Sequence, residues 1–374
     1  MKIAGTEAVS HTYGDRNGQL LKSTYANGWE VAYTYDSMDR VTQVKAAKGS
    51  SSYVIGQYLY DRQGRVARFV DGQVPGKSCT YGYDLTDRLC EAVFDDGTAY
   101  RYTYDANDCL VKEHHTLPGG SRDVIRAYDK DSRETSVTCG SAKVEKAFDE
   151  LGRLSTIKRN GGRHTTAYTY DASGIRTSKT VNGVKTEYLT AGGSILAEKK
   201  NGVWQHYLYD GSGQLTAIRY KGADYYYIRD GLMCITGLVD ANGGAVVNYR
   251  YDSWGKLISI TGSMAGTLGK DNPYRYKGYY YDDETGMYYI SVRYYNPEIA
   301  RFINTDTEDI LDISSHLYDK NLYAYCDNNP IMRKDTGGEF WTIAAGALIG
   351  AVISAGIEFG MELAFDGKID AGSI

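Results

Sequence analysis

Proline is scarce in this chain of 374 residues, with 5 prolines, and phenylalanine and tryptophan are also few, at 7 and 4. So few prolines exclude proline-rich, polyproline-type segments. The six cysteines and six histidines are dispersed, with no C-x-x-C pair and no grouping at metal-ligand spacing. Dispersed cysteines are typical of reduced, partly buried thiols. We therefore expect no disulfide framework, no metal site and no cofactor.

Concentrated positive charge is also missing. The net charge is −5, and the 42 Lys and Arg residues are scattered singly along the chain. A protein that binds nucleic acid normally carries a basic patch, so we expect no nucleic-acid partner. The first residues, MKIAGTEAVSHTYG, lack a charged start followed by an apolar run, so no signal peptide is predicted in this chain.

Tyrosine and glycine are abundant instead, at 36 and 43 residues. Much of the tyrosine lies in a repeated pattern, Y-x-Y-D, followed by Gly, Asp or Asn and then by Arg, Lys or Gln. Most copies follow one another at intervals of 20 to 25 residues, and a worn copy, EYLTAGGSIL at 187–196, fills one longer gap. The fixed aspartates of the copies are Asp36, Asp61, Asp84, Asp105, Asp129, Asp149, Asp171, Asp210, Asp230 and Asp252.

Each copy predicts a strand, a turn, a second strand and a second turn. Alternation places pairs such as Tyr33 and Tyr35 on one face of a strand, and the following Asp36 ends the strand and begins a turn. Dipeptides such as Asn182–Gly183 provide the second turn. Because a lone hairpin is marginal in water, successive hairpins must pair into one long curved sheet with rows of tyrosine on one face.

The regular spacing of the Y-x-Y-D pattern ends near residue 269. The repeat array is predicted to span residues 1–268, followed by a Tyr-dense, non-periodic block at 269–338 and a final region at 339–374. That region begins with the uncharged run Trp341–Ile357, WTIAAGALIGAVISAGI, which is 17 residues long. Its length is at the lower limit for a membrane span, and a buried helix of a further domain is an equal alternative.

The repeated unit resembles the YD repeat of the RHS (rearrangement hot spot) family, which includes wall-associated and polymorphic toxin proteins. The stretches YRYKGYYYDDETGMYYISVRYYNPEIARFINTDTED and NLYAYCDNNP resemble the repeat-associated core of that family, and the resemblance covers roughly residues 12–338. It implies a mainly β fold, in which hairpins spiral into a curved sheet or partial shell capped by the core, with a short C-terminal apolar helix. It also implies a non-enzymatic shell that encapsulates, presents or delivers a C-terminal effector, and a secreted or cell-surface location. On this interpretation the chain is a fragment, and the effector is absent.

In many members of the family the core also cleaves its own chain as an aspartyl protease. Asp306 in DTED and Asp335 in DTGG match the two aspartates of that core, and Arg301 in ARF matches the arginine upstream. Neither motif keeps the proline typical of the family. If cleavage occurs, we expect it within 338–340; the alternative is that both aspartates only form turns.

A second function class stays open, since exposed tyrosine ladders can stack on sugar rings. The chain would then be a carbohydrate-binding or adhesion module with cell-wall or surface glycans as partners. The other partners that the sequence predicts are the chain's own C-terminal effector and, through Trp341–Ile357, a membrane. Tyrosine rows that face a closed interior favour the shell, whereas a contiguous aromatic strip in solvent favours the glycan.

Overall fold

A computed structural model describes the chain almost continuously from residue 30 to residue 303 and in short stretches outside that range. The described residues are 2–3, 6–7, 9–14, 18–25, 30–72, 76–210, 213–229, 233–252, 254–291, 293–303, 323, 325–326, 334–335 and 341–342.

Within the described residues, one antiparallel sheet contains 24 strands in chain order, and a separate pair, β1 (Lys2–Ile3) and β2 (Thr6–Glu7), precedes it. The strands of the large sheet are β3 (Val9–Tyr13), β4 (Leu20–Tyr25), β5 (Glu30–Tyr35), β6 (Val41–Lys48), β7 (Ser51–Tyr60), β8 (Val66–Asp71), β9 (Cys79–Tyr83), β10 (Leu89–Phe94), β11 (Ala99–Tyr104), β12 (Leu110–Leu117), β13 (Gly120–Tyr128), β14 (Glu134–Cys139), β15 (Ala142–Phe148), β16 (Leu154–Arg159), β17 (His164–Tyr170), β18 (Arg176–Val181), β19 (Val184–Ala191), β20 (Ser194–Lys200), β21 (Val203–Tyr209), β22 (Leu215–Tyr220), β23 (Ala223–Arg229), β24 (Ile235–Val239), β25 (Ala245–Tyr251) and β26 (Leu257–Thr261).

The hairpins confirm the predicted turns. Asn182 and Gly183 have φ values of 49° and 86°, as a type I′ hairpin requires, and they connect Val181 to its partner Val184. The worn copy is also a hairpin, because Ala191 pairs with Ser194 across a two-glycine loop. The predicted repeat of strand, turn, strand and turn is therefore present even where the sequence pattern has faded.

The repeat aspartates that the structure describes close their turns in the same way, and Asp230 lies outside the described residues. The Asp36 N–H donates to the Arg40 carbonyl over 2.8 Å, and Asp36 Oδ1 accepts the N–H groups of Met38 and Arg40 at 2.9 and 3.0 Å. Asp39 has a φ of 62°, in the left-handed region, where six other copies have glycine and three have Asp87, Asp108 or Ser132. The same turn recurs at Asp61, Asp84, Asp105, Asp129, Asp149, Asp171, Asp210, Asp240 and Asp252.

A bulge next to each turn explains why the sheet bends. Thr34 pairs with Gln43 but Tyr35 pairs with Val41, so Thr42 is an extra residue on the returning strand. The register shifts at the same place in most copies of the repeat, immediately before the Asp. A bulge bends its strand and increases the local twist, so one bulge per hairpin accumulates into a strong curl.

The curl brings distant hairpins together, and the sheet closes on itself. Arg250 Nη2 lies 3.9 Å from Asp71 Oδ2, and the rings of Tyr81 and Trp254 meet edge to face with centroids 6.5 Å apart. These side chains connect the first third of the repeat array to its last hairpin. The sequence predicts a curved sheet or partial shell, and this prediction is confirmed.

The Tyr-dense block that follows the repeats lies inside the curl. We call residues 273–303 the inner segment; it contains the four-stranded sheet β27 (Tyr280–Asp282), β28 (Met287–Ile290), β29 (Arg293–Asn296) and β30 (Arg301–Phe302). A short helix, α1 (Leu268–Asp271), and a 3₁₀ turn at Tyr276–Gly278 precede its first strand. Another 3₁₀ turn, Asn160–Gly162, connects β16 to β17.

The last described residues differ in part from the expected apolar helix. Trp341–Thr342 form β32, which pairs with β31 (Lys334–Asp335), so the first two residues of the predicted helical run are extended. The rest of the run, residues 343–357, lies outside the described residues. Across the described ranges, no helix is long and apolar enough to span a bilayer.

Candidate functional site

The concave face of the large sheet is lined with tyrosine rings that pack on the inner segment. Tyr58 and Tyr249, from the two ends of the repeat array, are 2% and 0% exposed, and Tyr288 and Tyr295 of the inner segment are both 0% exposed. Three ring pairs connect sheet to inner segment at centroid distances of 4.8, 5.6 and 5.3 Å: Tyr207 with Tyr274, Tyr188 with Tyr280, and Tyr168 with Tyr294. The tyrosine rows therefore pack an interior, as the shell interpretation predicts.

A buried ion network anchors the inner segment to the sheet. Asp282 of β27 is fully buried, and its two oxygens accept from Arg176 Nη1 at 2.6 Å and from Lys179 Nζ at 2.9 Å, both on β18. Lys179 also lies 3.0 Å from Glu284. Burial alone would raise the pKa of Asp282, but the two cations outweigh it and hold that pKa below its ordinary value. Asp282 is therefore ionised and paired, which a buried charge requires.

The Arg176 guanidinium is enclosed by aromatic rings as well as paired. Its central carbon lies 4.3 Å from the ring centroid of Tyr289 and 4.8 Å from that of Tyr280, both in the inner segment. On the sheet, the rings of Tyr188 and Tyr168 lie 5.0 and 5.4 Å away. Cation–π contacts of this kind gain strength when water is excluded, so Arg176 is a strong point of attachment.

A second buried network lies within the sheet, further toward the N-terminus. Arg126 donates from Nε to Glu113 over 2.9 Å and from Nη1 to Glu134, which also pairs with Lys146. His115 contacts the other Glu113 oxygen at 2.9 Å. These side chains come from four neighbouring strands, so the network crosslinks β12 to β15.

The sequence carries a signal for both networks that the initial interpretation missed. The residue five positions after the repeat aspartate faces the interior, and in six copies it is an apolar residue at most 7% exposed: Val41, Val66, Leu89, Leu110, Leu154 and Leu215. The copy of Asp129 has Glu134 there, and the copy of Asp171 has Arg176. Charge at an otherwise apolar repeat position therefore marks each buried network.

An interior cavity of about 500 Å³ lies between the first third of the sheet and its last hairpin. Aromatic rings, among them Tyr81, Tyr102 and Trp254, form part of its wall, and the Glu113–Arg126 pair forms another part. Burial raises the pKa of Asp252, which also lines the cavity, to about 6. Across the described ranges, no group of His, Cys, Asp and Glu is placed to hold a metal ion.

Two of the three residues predicted to take part in self-cleavage, Arg301 and Asp335, are among the described residues. Arg301 is 5% exposed and donates from Nη2 to the Asp108 carbonyl over 2.8 Å, with its guanidinium 4.6 Å from the Tyr104 ring centroid. Arg301 thus helps to hold β30 against the sheet. Asp335 lies in β31 and pairs with Trp341. Asp306 lies outside the described residues, so the catalytic assignment of the three stays a prediction.

Beyond β30, the described residues Tyr323, Tyr325 and Cys326 also lie inside the curl. Tyr325 is 0% exposed, with its ring 4.0 Å from that of Tyr295 and its hydroxyl donating to Tyr279 over 3.1 Å. Tyr323 donates to the Ser132 carbonyl on the sheet. These residues are therefore enclosed by the wall.

Comparison with known proteins agrees with this architecture. Residues 194–331 match the Teneurin YD-shell family model and residues 14–51 match the RHS Repeat model. The chain is similar to the tRNA nuclease WapA of Bacillus subtilis, at 31% identity over 89% of this chain and 17% of that protein. It is also similar to toxin subunit YenC1 of Yersinia entomophaga, at 23% identity over 86% of this chain and 41% of that protein.

A solved structure of the TcdB2–TccC3–Cdc42 complex has the same fold, with a TM-score of 0.61 and 18% identity over 95% of this chain and 20% of that one. The chain thus spans less than half the length of each of these proteins. The hairpin repeats, the tyrosine-lined interior and the two family matches lead to one conclusion: the chain belongs to the RHS (YD) repeat proteins.

Proposed function

We propose that this chain is a section of a non-enzymatic shell that encloses the polypeptide following it, a C-terminal effector. The observation that carries the proposal is the path of the chain, since Tyr325 and Cys326 are buried inside the curl at 0% and 2% exposure. A polypeptide that continues from this point starts on the inside of the wall. The relatives named as a nuclease and as a toxin subunit support a toxin as the effector.

The same argument supports the predicted location. A shell that isolates an effector is useful when the effector must leave the producing cell, so we propose that the full-length protein is secreted or displayed at the cell surface. The shell is favoured over the glycan-binding alternative, because many of the repeat tyrosines that would stack on sugars belong to the buried core.

Protease protection tests the proposal. The same short protease recognition sequence is placed after Ile374 in one version of the chain and before Met1 in another. We expect the C-terminal site to be cut at least about tenfold more slowly, because proteolysis follows the population of opened molecules. Asp282→Asn, which weakens attachment of the inner segment, should remove most of that protection. Equal cutting rates at the two ends in the unchanged chain would contradict the proposal.

A further inference from the structure

The interior cavity beside the last hairpin has an unbalanced charge. Four ion pairs neutralise the cations at its wall: Lys77 with Asp96, Arg126 with Glu113, Arg250 with Asp71, and Lys256 with Glu298. Asp252 is the carboxylate left over, since no ion pair to it is present among the described residues. A carboxylate in a confined, partly apolar space is costly without a counter-ion.

Five of the described repeat aspartates, Asp105, Asp171, Asp210, Asp240 and Asp252, have no Arg four positions later, and of these Asp252 lines the cavity. In the copy of Asp61, the residue four positions later is Arg65, whose Nε donates to Asp61 Oδ2 over 2.6 Å. In the last copy that position is Lys256, and its Nζ instead pairs with Glu298 of the inner segment at 2.9 Å. Asp252 Oδ1 accepts the backbone N–H groups of Trp254 and Lys256 at 2.9 Å, which closes the turn but supplies no cation.

The remaining wall of the cavity suits a cation with an apolar stem. Tyr81, Tyr102 and Trp254 line it, and the rings of Tyr81 and Trp254 meet edge to face. The Asp252 charge contributes to raising the pKa of the Tyr81 hydroxyl, after burial and Cys79, so the carboxylate and that ring are neighbours. Aromatic faces with an adjacent carboxylate are the usual surroundings of bound ammonium and guanidinium groups.

We propose that this cavity binds an organic cation, an ammonium or guanidinium group on an apolar stem, with Asp252 as its counter-ion. The natural ligand is a Lys or Arg side chain of the enclosed polypeptide, an assignment that rests on the proposed shell function. The volume of about 500 Å³ accommodates such a side chain with part of its backbone. The wall would thereby hold its cargo by a specific contact as well as by enclosure.

Isothermal titration of the full chain with 2-phenylethylammonium tests the site, and the uncharged 2-phenylethanol serves as its isostere. We expect the ammonium to bind at least about tenfold more tightly than the alcohol, because a hydrogen bond to a charged group is stronger than a neutral one. Asp252→Asn keeps the turn acceptor but should remove that preference. Asp171→Asn alters the same position of a copy that also has no cation four positions later and whose turn does not line the cavity, so it should leave the preference intact. Equal binding of the two probes, or no binding, overturns the proposal.

A second titration distinguishes a cationic side chain of a polypeptide from a free small amine. N-acetyl-arginine amide, which imitates a side chain within a polypeptide, should bind with the same dependence on Asp252. If 2-phenylethylammonium binds and this compound does not, the site takes a free small amine and the assignment to enclosed polypeptide is wrong. Protection of the C-terminal protease site is measured without either probe, so the shell proposal can fail or succeed independently.

The affinity should also depend on pH. Binding requires the Asp252 carboxylate, so affinity for the ammonium probe should rise as the pH increases through about 6. The charged or titratable groups that face Asp252 or share its cavity are Lys256, Glu298, Asp71, Lys77, Arg250, Cys79, Tyr81, Tyr100, Tyr102, Tyr251, Tyr288, Tyr295, His115, Glu113 and Arg126. The pH dependence should disappear in Asp252→Asn; if it persists there, another of these groups carries it and the proposed role of Asp252 is wrong.

Discussion

The Tyr60 hydroxyl donates to the Val41 carbonyl over 2.7 Å, which connects one hairpin to the hairpin before it. Arg40 of the earlier hairpin lies over the Tyr60 ring at 4.5 Å while its Nε binds Asp36 at 2.7 Å. The same hydroxyl-to-carbonyl bond is made by Tyr35, Tyr83, Tyr104, Tyr128, Tyr170, Tyr209 and Tyr251. Neighbouring copies are therefore joined by side chains as well as by strand pairing.

Tyr60→Phe removes this hydroxyl and keeps the ring beneath Arg40. We expect the free energy of unfolding to fall by about 1–3 kcal/mol, because the Val41 carbonyl loses a partner in a half-buried place. Urea unfolding followed by circular dichroism measures the change. Tyr13→Phe, on a ring that is 49% exposed, is the matched control and should change stability little. Equal effects of the two substitutions would contradict the role of the hydroxyl.

Asp282→Asn removes one partner of the buried network. Because the buried Arg176 is left with an uncompensated charge and Lys179 keeps Glu284 alone, we expect a loss of about 3–5 kcal/mol in the free energy of unfolding. Glu187→Gln on β19 is the control, since its pair with Lys185 is about half exposed on both sides and should contribute little to stability. A loss for Asp282→Asn as small as that of the control would show that the network does not anchor the inner segment.

Gly174→Ala tests whether the turn position with a left-handed φ requires glycine. Its φ is 81°, and a methyl group added there meets nothing within 4 Å, so Gly174→Ala imposes only backbone strain. We expect a loss of about 1–2 kcal/mol in the free energy of unfolding, measured by denaturant titration. Gly266→Ala, equally open but with ordinary φ, should be neutral or slightly stabilising. If both variants behave alike, the turn does not require glycine.

The raised pKa of Asp252 predicts a pH dependence of stability. Its pKa of about 6 in the folded chain exceeds the ordinary value, so the folded state binds the proton more tightly than the unfolded state. The resulting stabilisation is fully present below the unfolded pKa and is lost as the pH rises through about 6. Asp252→Asn should remove this decline. Thermal unfolding of both proteins across this pH range measures it; identical pH profiles would contradict the prediction.

Intact mass spectrometry tests the predicted self-cleavage. If Asp306 and Asp335 form a protease, the unchanged chain should yield a product that ends within 338–340, and both Asp306→Asn and Asp335→Asn should abolish it. The pairing of Asp335 with Trp341 places these residues at neighbouring positions of two strands, on either side of the expected cut. A single mass of 41.5 kDa in all three proteins would leave the two aspartates as turn residues.

The local parts of this fold were predictable, because each is determined by residues close in sequence. Alternating tyrosines, a turn aspartate and dipeptides such as Asn182–Gly183 predict the hairpins directly. The curl was expected in general but not its cause, since the bulge at Thr42 follows from a register that the sequence does not show. The partners of Arg176 were also hidden, because Asp282 lies outside the repeat and no period connects the two.

The candidate site likewise has features that the sequence predicts and features that depend on contacts between distant residues. The packing of tyrosines in an interior could be inferred from their alternation. That no ion pair to Asp252 is present among the described residues could not be inferred, because Lys256 pairs with Glu298 of the inner segment. That pairing involves two elements that meet only in the folded chain. The catalytic role of Arg301 was inferred from a resemblance and stays a prediction; the structure shows this side chain attaching β30 to the sheet.

The contact between β18 and β27 has a consequence for the order of synthesis. Each hairpin pairs with its sequence neighbour, so the wall can assemble progressively as the chain leaves the ribosome. Asp282 emerges more than a hundred residues after Arg176, so the interior stays unsealed until the wall is nearly complete. Under the proposed shell function, a polypeptide made after Asp282 would meet a wall whose strands are already paired.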